Sequence, residues 1–266
     1  MPSDLFPADW QSRVPRGLDE FEDTPLGALK SGKESEVHLV ARAARGETWL
    51  LAQKHFIALD RRLFRNTYQY AGLWGEGTGV ESRAMRKNTR FGQEVRHRRW
   101  IANEWSNLET LYAAGVTVPP PVEMTADGYL MAFVGDDNVA APRLESVDLD
   151  RATALRVWEE LLGEIRLMLD AKLVHGDLSA FNVLWWRERA ILIDFSQSVD
   201  VITHPAAFDL IRRDVSSLAG YFTRRGVPID VPETLLAIGA DERRFAAQVM
   251  RTPWQPTKRA RSQPRG

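Results

Sequence analysis

The hydrophobic period of this chain changes once, near residue 135, and that change restricts the folds open to it. Before it the dominant period is two. Val37, Leu39 and Ala41 share one face of a run, with His38, Val40 and Arg42 on the other; Leu50, Ala52 and Lys54 likewise oppose Trp49, Leu51 and Gln53. Residues 29–42 and 47–56, joined by Ala43-Ala44-Arg45-Gly46, read as an antiparallel hairpin closed at Gly46. One helix interrupts this half. Over about 97–114, Ile101, Trp105, Leu108 and Tyr112 recur at helical spacing, Gly115 stops the run and Pro119-Pro120-Pro121 forbids its resumption. Short strands follow at 122–124 and 129–134 around Asp127-Gly128, and 135–138 reads as a linker.

Beyond the linker the period is mostly 3.6. Leu155, Trp158, Leu161, Leu162, Ile165, Met168 and Leu169 form a wide stripe over 151–172, with Asp150 as its N-cap. A second hairpin pairs 183–186 with 190–193, a helix spans about 205–224, and two shorter helices are expected near 232–238 and 241–250. Residues 1–24, polar and acidic, read as an arm without a period, and the glycines at 72, 75, 77 and 79 mark a loop over 66–82. The expectation is an α+β chain in two lobes: an arm at 1–23, a small antiparallel-sheet lobe with one main helix at 24–135, a reduced helical lobe at 136–250, and a basic, disordered tail at 251–266.

Composition narrows the chemistry. The 266 residues are 44% hydrophobic and 27% charged, as in an ordinary globular protein. The absence of Cys excludes disulfides, zinc knuckles and iron–sulfur ligation. No apolar run approaches the ~20 residues of a membrane span, and Met1 to Gln11 lack the basic start and apolar core of a signal peptide. A cytoplasmic protein with no membrane partner is expected. The net charge of −1 implies no partner in bulk, but residues 61–100 carry ten Lys/Arg against three Asp/Glu, and 101–150 carry nine acids and one base. The five bases of 251–266 stand without an acid. Solvated faces account for such runs; an RNA or a nucleotide phosphate is the sharper alternative.

The strongest chemical signal is His175-Gly176-Asp177-Leu178-Ser179-Ala180-Phe181-Asn182, followed by a hairpin whose second strand runs into Asp194. Phosphoryl transfer demands positioning and charge stabilisation more than covalent chemistry. One carboxylate must orient the acceptor and take its proton, and Asp177 suits that role. Hard oxygen ligands must hold Mg²⁺ (or Mn²⁺) against phosphates, and Asn182 with Asp194 supply an amide oxygen and a carboxylate. Asp194 emerges from the apolar run 191–193, where a carboxylate needs a partner.

Lys54 shares its strand face with Leu50 and Ala52, which nothing in a half-buried strand requires. On a wheel of ~100° per residue from Ile101, Glu104 falls at roughly 300°, beside Leu108 and within the apolar arc. An ion pair between Lys54 and Glu104 would satisfy both, and it is the device that positions a phosphate-binding lysine in kinases. Lys30-Ser31-Gly32-Lys33-Glu34-Ser35 precedes the strand that begins near Glu36-Val37; its backbone, the Ser31 hydroxyl and the Lys33 ammonium suit phosphate, although only one glycine, Gly32, is present. The 130–135 segment joins the lobes, where its backbone can face an adenine edge and Met131 and Phe133 can line the pocket.

Together these residues resemble the RIO family of atypical serine/threonine protein kinases. The resemblance covers roughly residues 24–228. It rests on Ser31-Gly32-Lys33-Glu34-Ser35, Lys54, 103–108, 173–182, Ile193-Asp194-Phe195-Ser196-Gln197-Ser198-Val199, His204-Pro205 and Arg212-Arg213-Asp214-Val215. Ser-Gln-Ser-Val after the aspartate separates this family from kinases carrying Asp-Phe-Gly. The resemblance implies a bilobal protein-kinase-like fold without a winged helix before it. It also implies ATP with Mg²⁺, a protein substrate or the chain itself as acceptor, Asp177 as catalytic acid–base, and Asn182 and Asp194 as metal ligands. Lys54 and Glu104 would then form the phosphate clamp. In some members the metal-binding aspartate is thought to take phosphate transiently, which would make Asp194 reactive and the protein an ATPase. Eukaryotic and archaeal members act in ribosomal-subunit maturation, so RNA or a ribosomal particle is a further partner the family suggests. Ala180 departs from the family's usual Glu. Only nine residues separate Asp194 from His204, too few for a long activation segment. Aminoglycoside and choline phosphotransferases share the His-x-Asp-x-x-x-x-Asn pattern and form the alternative enzyme class; a nucleotide-gated binding protein with little turnover is the non-enzymatic one.

Overall fold

In the computed structural model, residues 5–7, 9–32, 35–57, 80–87, 89–242 and 245 are described. The sheet half begins with a short helix α1 (Trp10–Arg13) and three long strands, β1 (Glu22–Ser31), β2 (Ser35–Ala44) and β3 (Glu47–Phe56). Helices α2 (Val80–Arg86) and α3 (Arg90–Ala113) follow, then β4 (Pro121–Met124) and β5 (Gly128–Ala132). All five strands form one antiparallel sheet in the order β1-β2-β3-β5-β4. The expected β2–β3 hairpin is present, and Arg45 and Gly46 both take positive φ (51° and 79°), as a tight two-residue turn requires.

The run 29–42 divides into two elements. Its first residues end β1, which starts as early as Glu22, and the chain reverses between Ser31 and Ser35. Nine of the ten β1 residues are exposed, with Leu29 alone half-buried, so this edge strand carries no apolar alternation. The lead-in also differs from a loose arm. Val14 packs into a cluster with Val40, Trp49, Leu51, Val122 and Leu130, and Leu5 into another with Val134, Ala141, Trp186 and Ile191. Arg42, almost fully buried, reaches Asp23, Glu123 and the Pro15 carbonyl and ties this segment to the sheet.

Helix α3 starts seven residues earlier than the apolar face suggested. Thr89 caps it by accepting from the Gly92 amide, and a Cβ at Gly92 would lie 2.1 Å from the Ala84 carbonyl oxygen of α2. The expected loop over 66–82 lies outside the described residues up to 79, and 80–82 belong to α2.

The 135–138 linker is the start of a small hairpin, β6 (Gly135–Asp136) with β7 (Val139–Ala140), turning at Asp137 and Asn138 with φ of 50° and 65°. The helical half follows: α4 (Arg151–Asp170), β8 (Leu173–Val174), the hairpin β9 (Val183–Trp186) with β10 (Arg189–Leu192), β11 (Val199–Asp200), α5 (Ala207–Thr223) and α6 (Val231–Ala237). Asp150 caps α4 by accepting from the Thr153 amide. Val157, Leu161, Ile165 and Met168 of α4 join Ile211, Val215, Leu218 and Phe222 of α5 in the main core, which continues through Leu108 and Leu111 of α3. Most of the helix expected over 241–250, and the tail 251–266, lie outside the described residues. Among the described residues no helix is long and apolar enough to cross a membrane.

Strands β3 and β5 approach closely at the position that carries Lys54. A Cβ on Gly128 would sit 1.9 Å from the Lys54 carbonyl oxygen, whereas one on Gly163, in mid-α4, would meet nothing within 4 Å. Gly128→Ala is therefore expected to destabilise by about 1–3 kcal/mol through forced strand displacement. Gly163→Ala should stabilise by up to ~1 kcal/mol through helix propensity. Urea unfolding at constant m-value reads both, and shifts of the same sign would count against the close approach.

Candidate active site

Three elements converge on Lys54. Its Nζ donates to Glu104 Oε1 of α3 at 2.5 Å and to Asp194 Oδ1, just past β10, at 2.9 Å. Tyr129 of β5 donates its hydroxyl to the same Glu104 oxygen at 3.0 Å. Glu104 has no exposed surface and Lys54 is 5% exposed, so these charges persist only because they face one another. Burial pulls the Lys54 pKa down, but Glu104, Tyr129 and Asp194 outweigh it and hold the ammonium well above its ordinary value. Burial raises the Glu104 carboxyl, and Lys54 only partly offsets it. Burial also acts to raise Asp194, yet the Lys54 charge and hydrogen bond dominate and hold this carboxyl far below the usual range.

A cavity of about 430 Å³ opens from this cluster. Leu29, Val37, Ala52, Met131, Phe133 and Leu184 give it apolar walls, with Lys54 and Asp194 at its inner end. A smaller space of about 170 Å³ adjoins it, bounded by Lys30, Gly32, Ser35, Lys54, Trp100, Asp194 and Ser196. The expected residues Lys54, Glu104, Asp194, Met131, Phe133 and Gly32 thus come to one cleft. The Ser31 hydroxyl donates to Glu36 at 3.3 Å and borders neither space, and Lys33 lies outside the described residues.

Asp177 and Asn182 form a second group. Asn182 Nδ2 donates to the Asp177 carbonyl at 2.8 Å and to Asp177 Oδ2 at 3.2 Å. Asp177 is exposed and lines neither space. The two groups are joined through the backbone, since the Ile193 amide donates to the Asn182 carbonyl at 3.0 Å. Asp194 itself sits at φ 71°, a left-handed conformation uncommon for a non-glycine residue, and the Ser196 hydroxyl donates to its Oδ1 at 3.2 Å. Lys54 and Ser196 both use Oδ1, and Asn182 is held through its nitrogen. Asp194 Oδ2 and Asn182 Oδ1 accept no hydrogen bond from a described residue. Two free hard oxygens suit a Mg²⁺ ion whose remaining ligands are phosphates and waters. Among the described residues no three His, Asp or Glu side chains gather as an all-protein metal cage.

The loop before Asp177 is anchored from α5. Asp214 accepts from the Gly176 amide at 2.8 Å and the Leu178 amide at 3.0 Å, and Arg213 donates to the Gly176 carbonyl. Gly176 takes φ 80°, and a Cβ there would lie 2.4 Å from the Gln197 carbonyl oxygen. His175 is buried and its pKa lowered by that burial, so the ring is neutral and Nε2 donates to the Ile193 carbonyl at 3.2 Å. Asp214 was legible only as part of a family motif. Yet it lies three residues after Ile211 on the buried face of α5, the same signal of a charge in an apolar stripe that marked Glu104. Arg143, which also lines the large cavity, carried no sequence signal, and Lys30 stood in the loop read as suited to phosphate without a role of its own.

A five-stranded antiparallel sheet set against a helical half, with a lysine–glutamate pair facing an aspartate across a cavity, is the architecture of the protein-kinase class. Residues 67–234 match the RIO domain family, and the chain belongs to that family of atypical serine/threonine protein kinases. It is 34% identical to human serine/threonine-protein kinase RIO1 over 131 residues, 49% of this chain and 23% of that protein. Against the RIO-type kinase Rio1 of Thermoplasma acidophilum the identity is 30% over 131 residues, 49% of this chain and 67% of the relative. Against RIO3 of Caenorhabditis elegans it is 33% over 211 residues, 77% of this chain and 38% of the relative. The chain therefore spans less than a quarter of the human protein and about two thirds of the archaeal one. Membership implies ATP as the phosphoryl donor.

Two tests address this geometry. Lys54→Ala and Glu104→Ala should each impair ATP use, and the double variant should lose little more than the worse single one, because either loss strands the other's charge. Strictly additive losses in a double-mutant cycle would show the pair is not coupled. Burial pushes the Asp214 carboxyl up to about 7, against the two amides that favour its ionised form. A raised carboxyl contributes stability that is complete below its ordinary 3.8 and is lost as pH rises through about 7. The stability advantage of the wild type over Asp214→Asn should thus narrow between pH 4 and 7 and level off above, as read by denaturant unfolding. A gap independent of pH would mean Asp214 titrates normally.

Proposed function

We propose that this chain transfers the terminal phosphoryl group of ATP to a serine or threonine hydroxyl of a protein, its own chain included. The observation that carries the reading is the Lys54 ammonium held between Glu104 and Asp194 at the inner end of an apolar-walled cavity. Ala52, Met131 and Phe133 offer walls for an adenine ring, and Lys54 is fixed where phosphates would lie. A Mg²⁺ or Mn²⁺ ion held by Asp194 Oδ2 and Asn182 Oδ1 would neutralise phosphate charge as it develops. Asp177 is presented to solvent, where an acceptor hydroxyl can reach it. The Asn182 amide hydrogen bond to Oδ2 leaves Oδ1 to orient that hydroxyl and accept its proton. Gly32 at the smaller space supports a phosphate-loop role for the 31–33 segment, Lys33 included. The division into a nucleotide-clamping lobe at 24–135 and a substrate lobe at 136–250 belongs to the same reading. So does a cytoplasmic setting, where ATP is supplied.

Incubation of the purified chain with labelled ATP and Mg²⁺ or Mn²⁺ tests the proposal. Label on protein supports it, and label on an added aminoglycoside or choline alone would point to the small-molecule class. RNA affinity that falls with salt, without any turnover, would point to a binding protein for RNA or a ribosomal particle. Asp177→Asn is expected to lower turnover by ~10²–10⁴-fold while leaving ATP binding nearly intact. Unchanged turnover would remove Asp177 from the reaction.

A further inference from the structure

The Lys54 cluster is short of positive charge for the ligand it is meant to hold. One ammonium faces two carboxylates, Glu104 and Asp194, so the inner end of the cleft carries a net unit of negative charge. A divalent ion at Asp194 would supply part of the charge a polyphosphate needs there, and two side chains among the described residues can supply more. Lys30, from the end of β1, borders both the large cavity and the smaller space beside Asp194. Arg143, just past the β6–β7 hairpin and bridged through its backbone to Leu184, borders the same large cavity. Neither side chain makes a hydrogen bond or ion pair with a described residue. This distinguishes them from the other cations near the cleft: Arg213 is committed to Gly176, and Lys54 to its two acids.

We propose that Lys30 and Arg143 form a second phosphate clamp at the cleft mouth, holding the polyphosphate of the nucleotide from the solvent side while Lys54 holds it from within. The pair sets the preference of the cleft for ATP over nucleosides and less-phosphorylated nucleotides. This rests on the phosphotransferase reading above and adds residues to it. Like charges brought to one cavity repel each other unless an anion lies between them. The Lys30 ammonium shows that cost: its pKa is lowered first by desolvation at the cavity mouth and next by Arg143, with Asp194 only partly compensating. Before any metal ion is counted, Lys30 and Arg143 turn the side-chain charge of the cleft from one net negative to one net positive, the sign that favours a phosphate chain. Arg143 offers a planar fork suited to two phosphate oxygens and Lys30 a mobile point charge, so the two are not interchangeable in geometry. The clamp draws on both halves of the fold, since β1 belongs to the sheet edge and Arg143 to the segment that enters the helical half.

The test is equilibrium binding of adenosine, ADP and ATP to the full chain by calorimetry, for the wild type, Lys30→Gln, Arg143→Gln and the double variant. Neither side chain is buried in the core, and thermal melting without nucleotide verifies that each variant folds. The wild type should bind ATP more tightly than adenosine. Each single variant should weaken ATP roughly tenfold or more, as for a lost charge-assisted hydrogen bond, while adenosine affinity stays within about twofold. Lys30→Arg should restore most of the loss. Raising the salt should erode the wild-type preference and leave that of the double variant nearly flat. If ATP is preferred over adenosine but the variants retain the full preference, the clamp is wrong and the phosphotransferase reading stands. If the wild type binds neither ATP nor adenosine, the phosphotransferase reading falls and the clamp with it.

Discussion

A single buried ammonium shared by two carboxylates is the constraint on which the rest of the structure depends. Lys54 arrives on β3, Glu104 on α3 and Asp194 on the loop after β10, so one ion cluster fixes the sheet, its helix and the helical half relative to each other. Each charge would be costly alone in this setting, and together they are tolerated. Tyr129 adds a hydroxyl to Glu104, and Gly128 next to it lets β5 run against the Lys54 backbone. The close strand approach, the buried tyrosine and the helix position all serve to keep the ammonium at one point. What they leave unsatisfied is charge balance, which is why the unpaired cations at the cleft mouth bear on function.

The loop that presents Asp177, the acceptor side in the proposed reading, is held by a different principle, through backbone rather than side-chain charge. Asp214 accepts from two amides of this loop, Arg213 donates to the carbonyl between them, and neutral His175 donates to the Ile193 carbonyl. The strand pair β8–β11 closes the loop on its far side, with Val174 opposite Val199. Asp177 therefore inherits its position from α5 and the core, whereas Asp194 inherits its position from Lys54. The Ile193–Asn182 backbone bond is where the two systems meet.

The elements legible in the sequence were those whose signal is local. The β2–β3 hairpin, α4 with its Asp150 cap, the β9–β10 hairpin and α5 each carry their own period or cap. Lys54 and Glu104 were legible because each places a charge in an apolar stripe. The parts that escaped depend on contacts distant in sequence. β1 is an exposed edge strand with no alternation to read. Leu5 and Val14 are lone apolar residues that find clusters far along the chain. Within the legible β9–β10 hairpin, Arg187 at the turn lies over the Trp186 ring and bonds Asp136 of the β6–β7 hairpin. No local pattern announces that pairing. Lys30 stood in the segment read as suited to phosphate, but its meeting with Arg143 escaped for the same reason, since only the folded cavity brings the two together.

In the proposed phosphotransferase reading, the separation of these two anchoring systems bears on what the acceptor can be. In the described structure, the cavity that would take the nucleotide is walled and charged on its own side, while Asp177 faces outward with the exposed ring of Phe181 four residues further along the same loop. Between Asp194 and α5 the chain is occupied by β11 and a turn whose Ile202 and Thr203 amides are both taken by Asp200. That tight, self-satisfied stretch gives an incoming polypeptide no extended platform to pair with. Selection of the acceptor would then fall to the few side chains around Asp177, and the hydroxyl most easily delivered there is one on a mobile segment that needs no extended docking, such as a tail or loop of a protein.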